Sequence, residues 1–272
     1  MVNEAWSGKI SLQVDAKTPA GSAYAVPIIK TCLDKFKIGG TNHIDGRKVR
    51  GHLCELVERA IVDLKLNGLK IKKRPWQQGP AVTCEIMWTE FLSISIDFAV
   101  GLDIPNWPPP PIAGPRPVGT DAKVQLVPKV KNDPSANPAF WQISTAQVEA
   151  QICNNMDKDG GCRKKVLKLA EYFKLKSGTG WHPVTSYNLK TILFHMNDEK
   201  RQREYWAQGM LVPRFKELID RLLKHLRDGS LPNFFIPKEN LFAGKAEILK
   251  GAIAGVNDFL KMLRANPERL LM

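Results

Sequence analysis

Apolar and polar residues alternate over two neighbouring stretches between Gly79 and Ile104, and this period of two predicts a pair of β-strands. In the first strand one face carries Val82, Cys84, Ile86 and Trp88. The other face carries Ala81, Thr83, Glu85 and Met87. In the second strand one face carries Ile94, Ile96, Phe98 and Val100. The other face carries Ser93, Ser95, Asp97 and Ala99. The alternation therefore places Asp97 in mid-strand among small side chains, with a fully apolar face behind it.

Apolar residues recur at helical spacing in other stretches, most strongly in the back half of the chain. The predicted helices are Arg47–Leu66, a short one around Val148 and Ile152, Cys162–Phe173, Leu189–Met196, Leu211–Leu226 and Ala246–Leu263. Short strands are predicted at Lys9–Asp15, Tyr24–Lys30 and Lys123–Lys131. The pattern predicts an α+β protein with a mixed α/β domain over 1–135 and an all-helical domain over 136–272.

A proline-rich segment follows the two central strands, from Pro105 through Pro117. Proline cannot donate a hydrogen bond to a β-ladder, so this segment is predicted to be an extended surface connection rather than a third strand. The alternative is a docking segment for a proline-recognising module.

The charge of the chain is unusual, because 40 Lys and Arg residues against 27 Asp and Glu residues give a net charge of +13. This balance suits a polyanionic partner, such as nucleic acid, nucleotides or an anionic membrane surface. Two basic clusters are candidates for nucleic-acid binding, and their residues are Lys70, Lys72, Lys73 and Arg74, and Arg163, Lys164, Lys165 and Lys168. The alternative is that both clusters are solvated surfaces.

The five cysteines are odd in number and lack metal-ligand spacing, which predicts reduced thiols in an intracellular protein. The chain contains no apolar run of about 18 residues, so no membrane span and no membrane partner are expected.

Asp97 is the candidate metal ligand. A carboxylate on an open sheet face of small residues is how a palm-type domain presents an oxygen ligand to Mg²⁺. The alternative is a half-exposed strand whose polar face carries one Asp with no role in chemistry.

Several short motifs occur in order between about Gly46 and Phe242. They are Gly79-Pro80-Ala81-Val82-Thr83, Ile94-Ser95-Ile96-Asp97, Phe140-Trp141-Gln142-Ile143-Ser144, Gly161-Cys162-Arg163-Lys164-Lys165, Ser186-Tyr187-Asn188-Leu189-Lys190-Thr191, Phe234-Phe235-Ile236-Pro237 and Asn240-Leu241-Phe242. In this order and spacing the chain resembles the family of cyclic GMP–AMP synthase and its Mab (male-abnormal) developmental relatives.

The resemblance implies a nucleotidyltransferase palm followed by a helical lobe, with the active-site cleft between them. It implies an innate-immune sensor that binds double-stranded DNA or RNA, pairs as a homodimer on it, and makes a cyclic dinucleotide from ATP and GTP. It also implies Mg²⁺ or Mn²⁺ as cofactor and a cytoplasmic location, with a nuclear pool as an addition.

The resemblance assigns roles residue by residue. Asp97 matches the third catalytic carboxylate, Ser144 and Glu149 lie near the nucleotides, Ser186 is a phosphate-side hydroxyl, and Tyr187 stacks on a base. The alternatives are structural: Ser144 with Gln147, and Thr185 or Ser186, can cap helices, while Tyr187 can pack within the helical lobe.

The chain departs from the family pattern at several positions. Gln142 replaces an Arg that would bind phosphate in bidentate fashion, and Glu171 replaces a Lys. The zinc-holding His and Cys insertion is missing between Asn154 and Gly161, so no structural zinc is expected. This weakens the case for double-stranded DNA and leaves room for double-stranded RNA, which is recognised by shape and phosphate contacts.

The largest departure concerns the first two catalytic carboxylates. The family's Gly-Ser loop and Glu-x-Asp pair are expected upstream of Lys9–Lys30, where Glu4 and Asp15 are the only nearby acids and lack that spacing. Two-metal chemistry needs several carboxylates. Two hypotheses follow: the chain is a fragment of a longer enzyme, or it is a non-catalytic binding module for nucleic acid, nucleotide or protein.

Overall fold

The computed structural model describes residues 9–11, 34–63, 70–104, 106–110, 112–128 and 137–265. The strands are β1 (Lys9–Ser11), β2 (Lys70–Gln78), β3 (Ala81–Met87), β4 (Ser93–Ala99), β5 (Leu102–Ile104), β6 (Val124–Val127) and β7 (Phe140–Ser144). The α-helices are α1 (Gly46–Asp63), α2 (Ala146–Asn155), α3 (Arg163–Lys176), α4 (Ser186–Glu199), α5 (Leu211–Asp228) and α6 (Ala246–Ala265). The predicted α+β class is confirmed.

The strands form two antiparallel sheets, ordered β2-β3-β4 and β1-β7-β6-β5. The predicted central pair is β3 and β4, and their register places Thr83 opposite Asp97 and Val82 opposite Phe98. The predicted return strand is β6, and β1 begins the predicted first strand. The strand predicted at Tyr24–Lys30 lies outside the described residues.

β2 was not predicted as a strand, because its lysines interrupt the apolar alternation. It pairs with β3 through two register shifts, between Ile71 and Lys73 and between Lys73 and Trp76. Such bulges are common in edge strands, where charged side chains can remain in solvent. The first basic cluster therefore lies on a strand.

The described chain divides into two compact units. One comprises Met1–Trp107 and Ala122–Gln147, and the other Pro108–Asp121 and Val148–Met272. In the first unit Trp141 is fully buried, and its indole nitrogen Nε1 donates to the carbonyl of Ile44 at 3.1 Å. This bond ties β7 to the turn before α1. Val82 and Cys84 of β3 are also buried.

The core of the second unit is built on α5, as the sequence predicted. Phe215, Leu218, Ile219, Leu222 and Leu226 are all buried, because they share one helical stripe. Gly229 ends the helix in the left-handed conformation, with φ of 61°. The helices predicted over 162–173, 189–196 and 246–263 are α3, α4 and α6.

Two predictions of local structure need correction. The proline segment forms no strand over its described residues, but Ala113 is buried and Gly114 donates to the carbonyl of Phe235 at 2.9 Å. That part therefore packs on the second unit instead of running over the surface. Ser144 is the last residue of β7, and α2 begins at Ala146, so the residue before the helix is Thr145. The prediction that α1 continues to Leu66 falls on 64–66, which lie outside the described residues.

Candidate functional site

Asp97 lies in the middle of β4, and its side chain is exposed. The hydroxyl Oγ1 of Thr83, on the adjacent strand, donates to Asp97 Oδ1 at 2.6 Å. Thr83 is only 3% exposed, so the carboxylate is oriented by a buried group. The period-two prediction for Asp97 is thus confirmed: it is a solvent-facing carboxylate held in a defined direction.

A second carboxylate, Glu85, lies two residues from Thr83 on β3, but it is already engaged. Glu85 Oε1 accepts hydrogen bonds from Lys72 Nζ at 2.8 Å and Ser93 Oγ at 2.7 Å. These two bonds, the Lys72 bond first, lower the pKa of Glu85. Over the part of the chain that the structure describes, no group of three His, Cys, Asp or Glu residues could hold a metal ion. The described residues supply one ligand and do not fit a two-metal centre.

The first turn of α4 presents a hydroxyl and an ammonium group close together in sequence and in space. Ser186 is exposed at the first helical position, and Lys190 follows one turn later on the same helix face. Lys190 Nζ contacts Glu149 Oε2 of α2 at 3.2 Å. A helix N-terminus with a hydroxyl and a cation can bind a phosphate group. The sequence analysis did not single out Lys190, although its spacing from Ser186 was a usable signal.

Thr185, rather than Ser186, caps α4. Thr185 Oγ1 accepts from the backbone NH of Asn188 at 3.2 Å, and Asn188 Oδ1 accepts from the backbone NH of Thr185 at 2.8 Å. This reciprocal capping box satisfies the helix end, so the cap does not need the Ser186 hydroxyl. Tyr187 is half-buried, and its hydroxyl donates to Asn233 Oδ1 at 3.2 Å. That bond fits the packing alternative for Tyr187.

The first basic cluster is exposed along β2, where Lys70, Lys72, Lys73 and Arg74 all reach solvent. Lys72 is paired with Glu85, and Lys73 Nζ lies 4.0 Å from the ring centre of Trp76. The cation–π contact fixes one lysine against the sheet without neutralising it. The strand therefore presents an excess of positive charge.

The second basic cluster divides into exposed and buried members. Lys164, Lys165 and Lys168 are exposed on the first two turns of α3. Arg163 is only 4% exposed, and its guanidinium lies 2.9 Å from Asp159 Oδ1 and 3.3 Å from Asp157 Oδ1. The contact of Arg163 with nucleic acid stays a prediction, and this geometry does not favour it, because the guanidinium is buried and paired with two carboxylates. Arg163 holds the turn that begins α3.

The described cysteines are free thiols: Cys54, Cys84, Cys153 and Cys162. Burial raises the pKa of each, so each remains a thiol at neutral pH. Reduction of the cysteines in the cell stays a prediction, and Cys32 lies outside the described residues.

Comparison with known proteins places these features in a family. Residues 162–254 match the Mab-21 protein HhH/H2TH-like domain. The chain is 28% identical to cyclic GMP–AMP synthase from Mus musculus, over 74% of this chain and 44% of that protein. It is 27% identical to a cyclic GMP–AMP synthase-like receptor from Magallana gigas, over 79% of this chain and 39% of that protein. It is 23% identical to the protein mab-21-like from Drosophila melanogaster, over 77% of this chain and 59% of that protein.

These matches support a member of the cyclic GMP–AMP synthase and Mab-21 family. This confirms the resemblance drawn from the ordered motifs. The chain spans between about two fifths and three fifths of the length of these curated relatives.

The domain match shows which candidate residues lie in the part of the chain that defines the family. It includes α3 with Lys164, Lys165 and Lys168, and α4 with Ser186 and Lys190. Asp97 and the β2 cluster lie before it. The roles predicted for them are not covered by this match.

Proposed function

We propose that this chain is part of a nucleotidyltransferase that senses double-stranded nucleic acid and makes a cyclic dinucleotide from ATP and GTP in innate immune signalling. The observation that carries this proposal is Asp97, an exposed carboxylate whose Oδ1 is oriented by the buried Thr83 hydroxyl. Membership of the cyclic GMP–AMP synthase and Mab-21 family supports the reaction class. In this proposal residues 1–135 form a partial palm, and 136–272 form the helical lobe.

The nucleotides are assigned to residues by their chemistry. The α4 N-terminus, the Ser186 hydroxyl and the Lys190 ammonium group bind phosphate oxygens. Glu149 positions Lys190 through their 3.2 Å contact. The family pattern implies that Tyr187 stacks on a base and that Ser144 matches a position near the nucleotides. Asp97 would be one ligand for Mg²⁺ or Mn²⁺, whose chemistry when bound would be polarisation of a phosphoryl oxygen.

The activating partner is assigned to the exposed lysines. Lys70, Lys72, Lys73 and Arg74 on β2, and Lys164, Lys165 and Lys168 on α3, contact phosphates of double-stranded RNA or DNA. Such contacts carry little sequence information, because the phosphate backbone is the same at every step. Arg163 supports this interface from below through Asp157 and Asp159.

A second candidate function is a non-catalytic module that binds nucleic acid, nucleotide or protein. A specific observation favours it: the residues that the structure describes bring no second free carboxylate beside Asp97, and Glu85 is engaged by Lys72 and Ser93. Binding requires none of the carboxylates that two-metal chemistry needs.

The deciding experiment measures cyclic dinucleotide made from ATP and GTP with Mg²⁺ or Mn²⁺, with and without double-stranded DNA or RNA. The 272-residue chain alone is expected to make none, and any longer product of the same transcript is expected to make it. Asp97→Asn should abolish that product, since Asn retains the shape and removes the charge. Ser95→Ala, two residues away on the same strand face, is the control. If the longer product is also inactive, the binding module stands instead.

Nucleic-acid binding is tested separately by charge reversal. Lys72, Lys73, Lys164 and Lys165 are changed together to Glu, and the matched control reverses four other exposed lysines: Lys200, Lys216, Lys250 and Lys261. Affinity of the unaltered chain should fall steeply with salt, and the log–log slope should decrease by about one for each phosphate contact removed. Equal losses in both variants, or a flat salt dependence, would show that the clusters are solvated surfaces.

A further inference from the structure

The loop that joins β3 to β4, Trp88–Leu92, exposes three large apolar side chains. Phe91 is 97% exposed, Trp88 58% and Leu92 53%. We call this loop the hairpin tip. Single exposed apolar residues are common on protein surfaces, but three within five residues form a contiguous patch, and such patches mark interaction sites.

The hairpin tip has a defined backbone conformation. The NH of Trp88 donates to the carbonyl of Leu92 at 2.9 Å. Thr89 Oγ1 accepts from the NH of Leu92 at 3.0 Å and from the NH of Phe91 at 3.3 Å. These bonds close the loop on itself, so its apolar side chains are directed outward by the backbone.

Positive charge borders the hairpin tip at the same end of the sheet. Lys70 of β2 is the register partner of Met87, the residue before the tip. Lys72 Nζ lies 3.3 Å from Ser93 Oγ, the residue after the tip. Lys73 and Arg74 continue the exposed row along β2. Glu85 offsets one of these four cations, and the rest remain in excess.

We propose that the hairpin tip and the β2 cations together also form a docking site for an anionic phospholipid surface, so that the same cations serve lipid headgroups as well as the phosphates of nucleic acid. Aromatic and aliphatic side chains insert at the boundary between headgroups and acyl chains, where Trp is especially favourable. Lysines beside them attract anionic headgroups. This explains both halves of the surface, the apolar tip and its cationic border.

A protein partner or nucleic acid would match only one part of this surface, either the apolar tip or its cationic border. A groove on a protein partner would bury the apolar side chains but would not need the lysines. Nucleic acid would pair with the lysines and could accept one apolar wedge between base steps, whereas the tip carries three large side chains. The sequence analysis expected no membrane partner because the chain lacks a spanning segment. Peripheral docking needs no such segment, and no helix in the described ranges is long and apolar enough to cross a bilayer.

Glu90 gives the proposal a diagnostic feature. It is an exposed carboxylate within the hairpin tip, and there it would face the anionic headgroups. Glu90→Gln should therefore strengthen binding to anionic vesicles by roughly twofold to fivefold, and should leave binding to neutral vesicles unchanged. A purely apolar protein contact predicts no such dependence on lipid charge.

The experiment measures co-sedimentation of the 272-residue chain with vesicles of phosphatidylcholine alone and of phosphatidylcholine mixed with phosphatidylserine. Binding is expected to the mixed vesicles. Phe91→Asp should reduce it roughly tenfold or more, since it removes the most exposed apolar group and adds negative charge. Val118→Ser is the matched control, because Val118 is 78% exposed and belongs to the other unit. Circular dichroism checks that each variant folds.

Each alternative result overturns the proposal. The proposal fails if the chain does not bind mixed vesicles, or if Phe91→Asp and Val118→Ser bind equally well. It also fails if Phe91→Asp lowers affinity for double-stranded RNA while vesicle binding is unchanged, which would assign the tip to nucleic acid. Brominated lipids add a direct readout, because they should quench Trp88 fluorescence, and the quenching should be lost in Trp88→Phe.

Discussion

Two glycines one turn apart on α6 differ in what surrounds them, and they make a matched test of how the second unit is packed. A Cβ built on Gly255 would lie 2.0 Å from the carbonyl oxygen of Gly180 and 2.7 Å from its carbonyl carbon. A Cβ built on Gly251 meets no described atom within 4 Å. Gly180 belongs to the short 3₁₀ turn Gly178–Trp181, which follows α3.

The expected effects have opposite signs. Gly251→Ala should stabilise the chain by about 0.5–1 kcal/mol, because alanine favours the helix over glycine. Gly255→Ala has the same helix benefit, but the new Cβ would lie 2.0 Å from the carbonyl oxygen of Gly180, whereas ordinary van der Waals contact begins at 3.4 Å. The backbone of α6 or of the Gly178–Trp181 turn must therefore move by more than 1 Å. Overpacking of this kind costs about 1–3 kcal/mol, and more where the obstacle is backbone. We expect a net loss of about 2 kcal/mol.

The assay is thermal or urea unfolding followed by far-ultraviolet circular dichroism. A change of 1 kcal/mol moves the midpoint by about 2–4 °C in a domain of this size, so the two variants should separate clearly. Equal or greater stability of Gly255→Ala relative to Gly251→Ala would refute the close approach of α6 to the Gly178–Trp181 turn.

Other predictions concern the same two units. Arg163→Met should lower stability by about 2–3 kcal/mol, since it leaves Asp157 and Asp159 without their guanidinium; Lys164→Met, its exposed neighbour, should be near neutral. Burial lowers the pKa of His225, so its protonation favours the unfolded chain and stability should fall as pH drops below about 6.5; His225→Gln should flatten that part of the pH profile. Hydrogen exchange should be faster in β4, where Ile94 and Phe98 are each 40% exposed, than in the buried stripe of α5; uniform protection would contradict this.

Local periodicity was enough to predict most helices and the central strand pair. Every residue of the α5 stripe contributes to the same face, so the 3.6-residue period is strong and survives any tertiary context. The position of Asp97 followed in the same way from the period of two on β4. Its partner Thr83 did not, because the register between β3 and β4 depends on how the hairpin closes.

The sequence predicted local structure less well where the side chains of a segment are atypical of its backbone conformation. β2 carries lysines at positions where an alternating strand would have apolar residues. Its sequence therefore indicates a basic cluster and does not predict a strand. Ser144 with Gln147 satisfies the capping pattern, and only the end of β7 at Ser144 shows that Thr145 is the residue before the helix. The ordered motifs carried the family assignment, which the domain match and the curated relatives confirmed.

What the sequence determined by itself was therefore the set of elements, the family and the exposed face of Asp97, because these depend on residues that are neighbours along the chain. Only the tertiary structure decided which charged side chains are exposed to solvent. Arg163 and Lys164 are adjacent and look alike in sequence, yet one is buried against two aspartates and the other is in solvent. The burial of a charge depends on partners brought together by folding, and for Arg163 these include Asn197, 34 residues away.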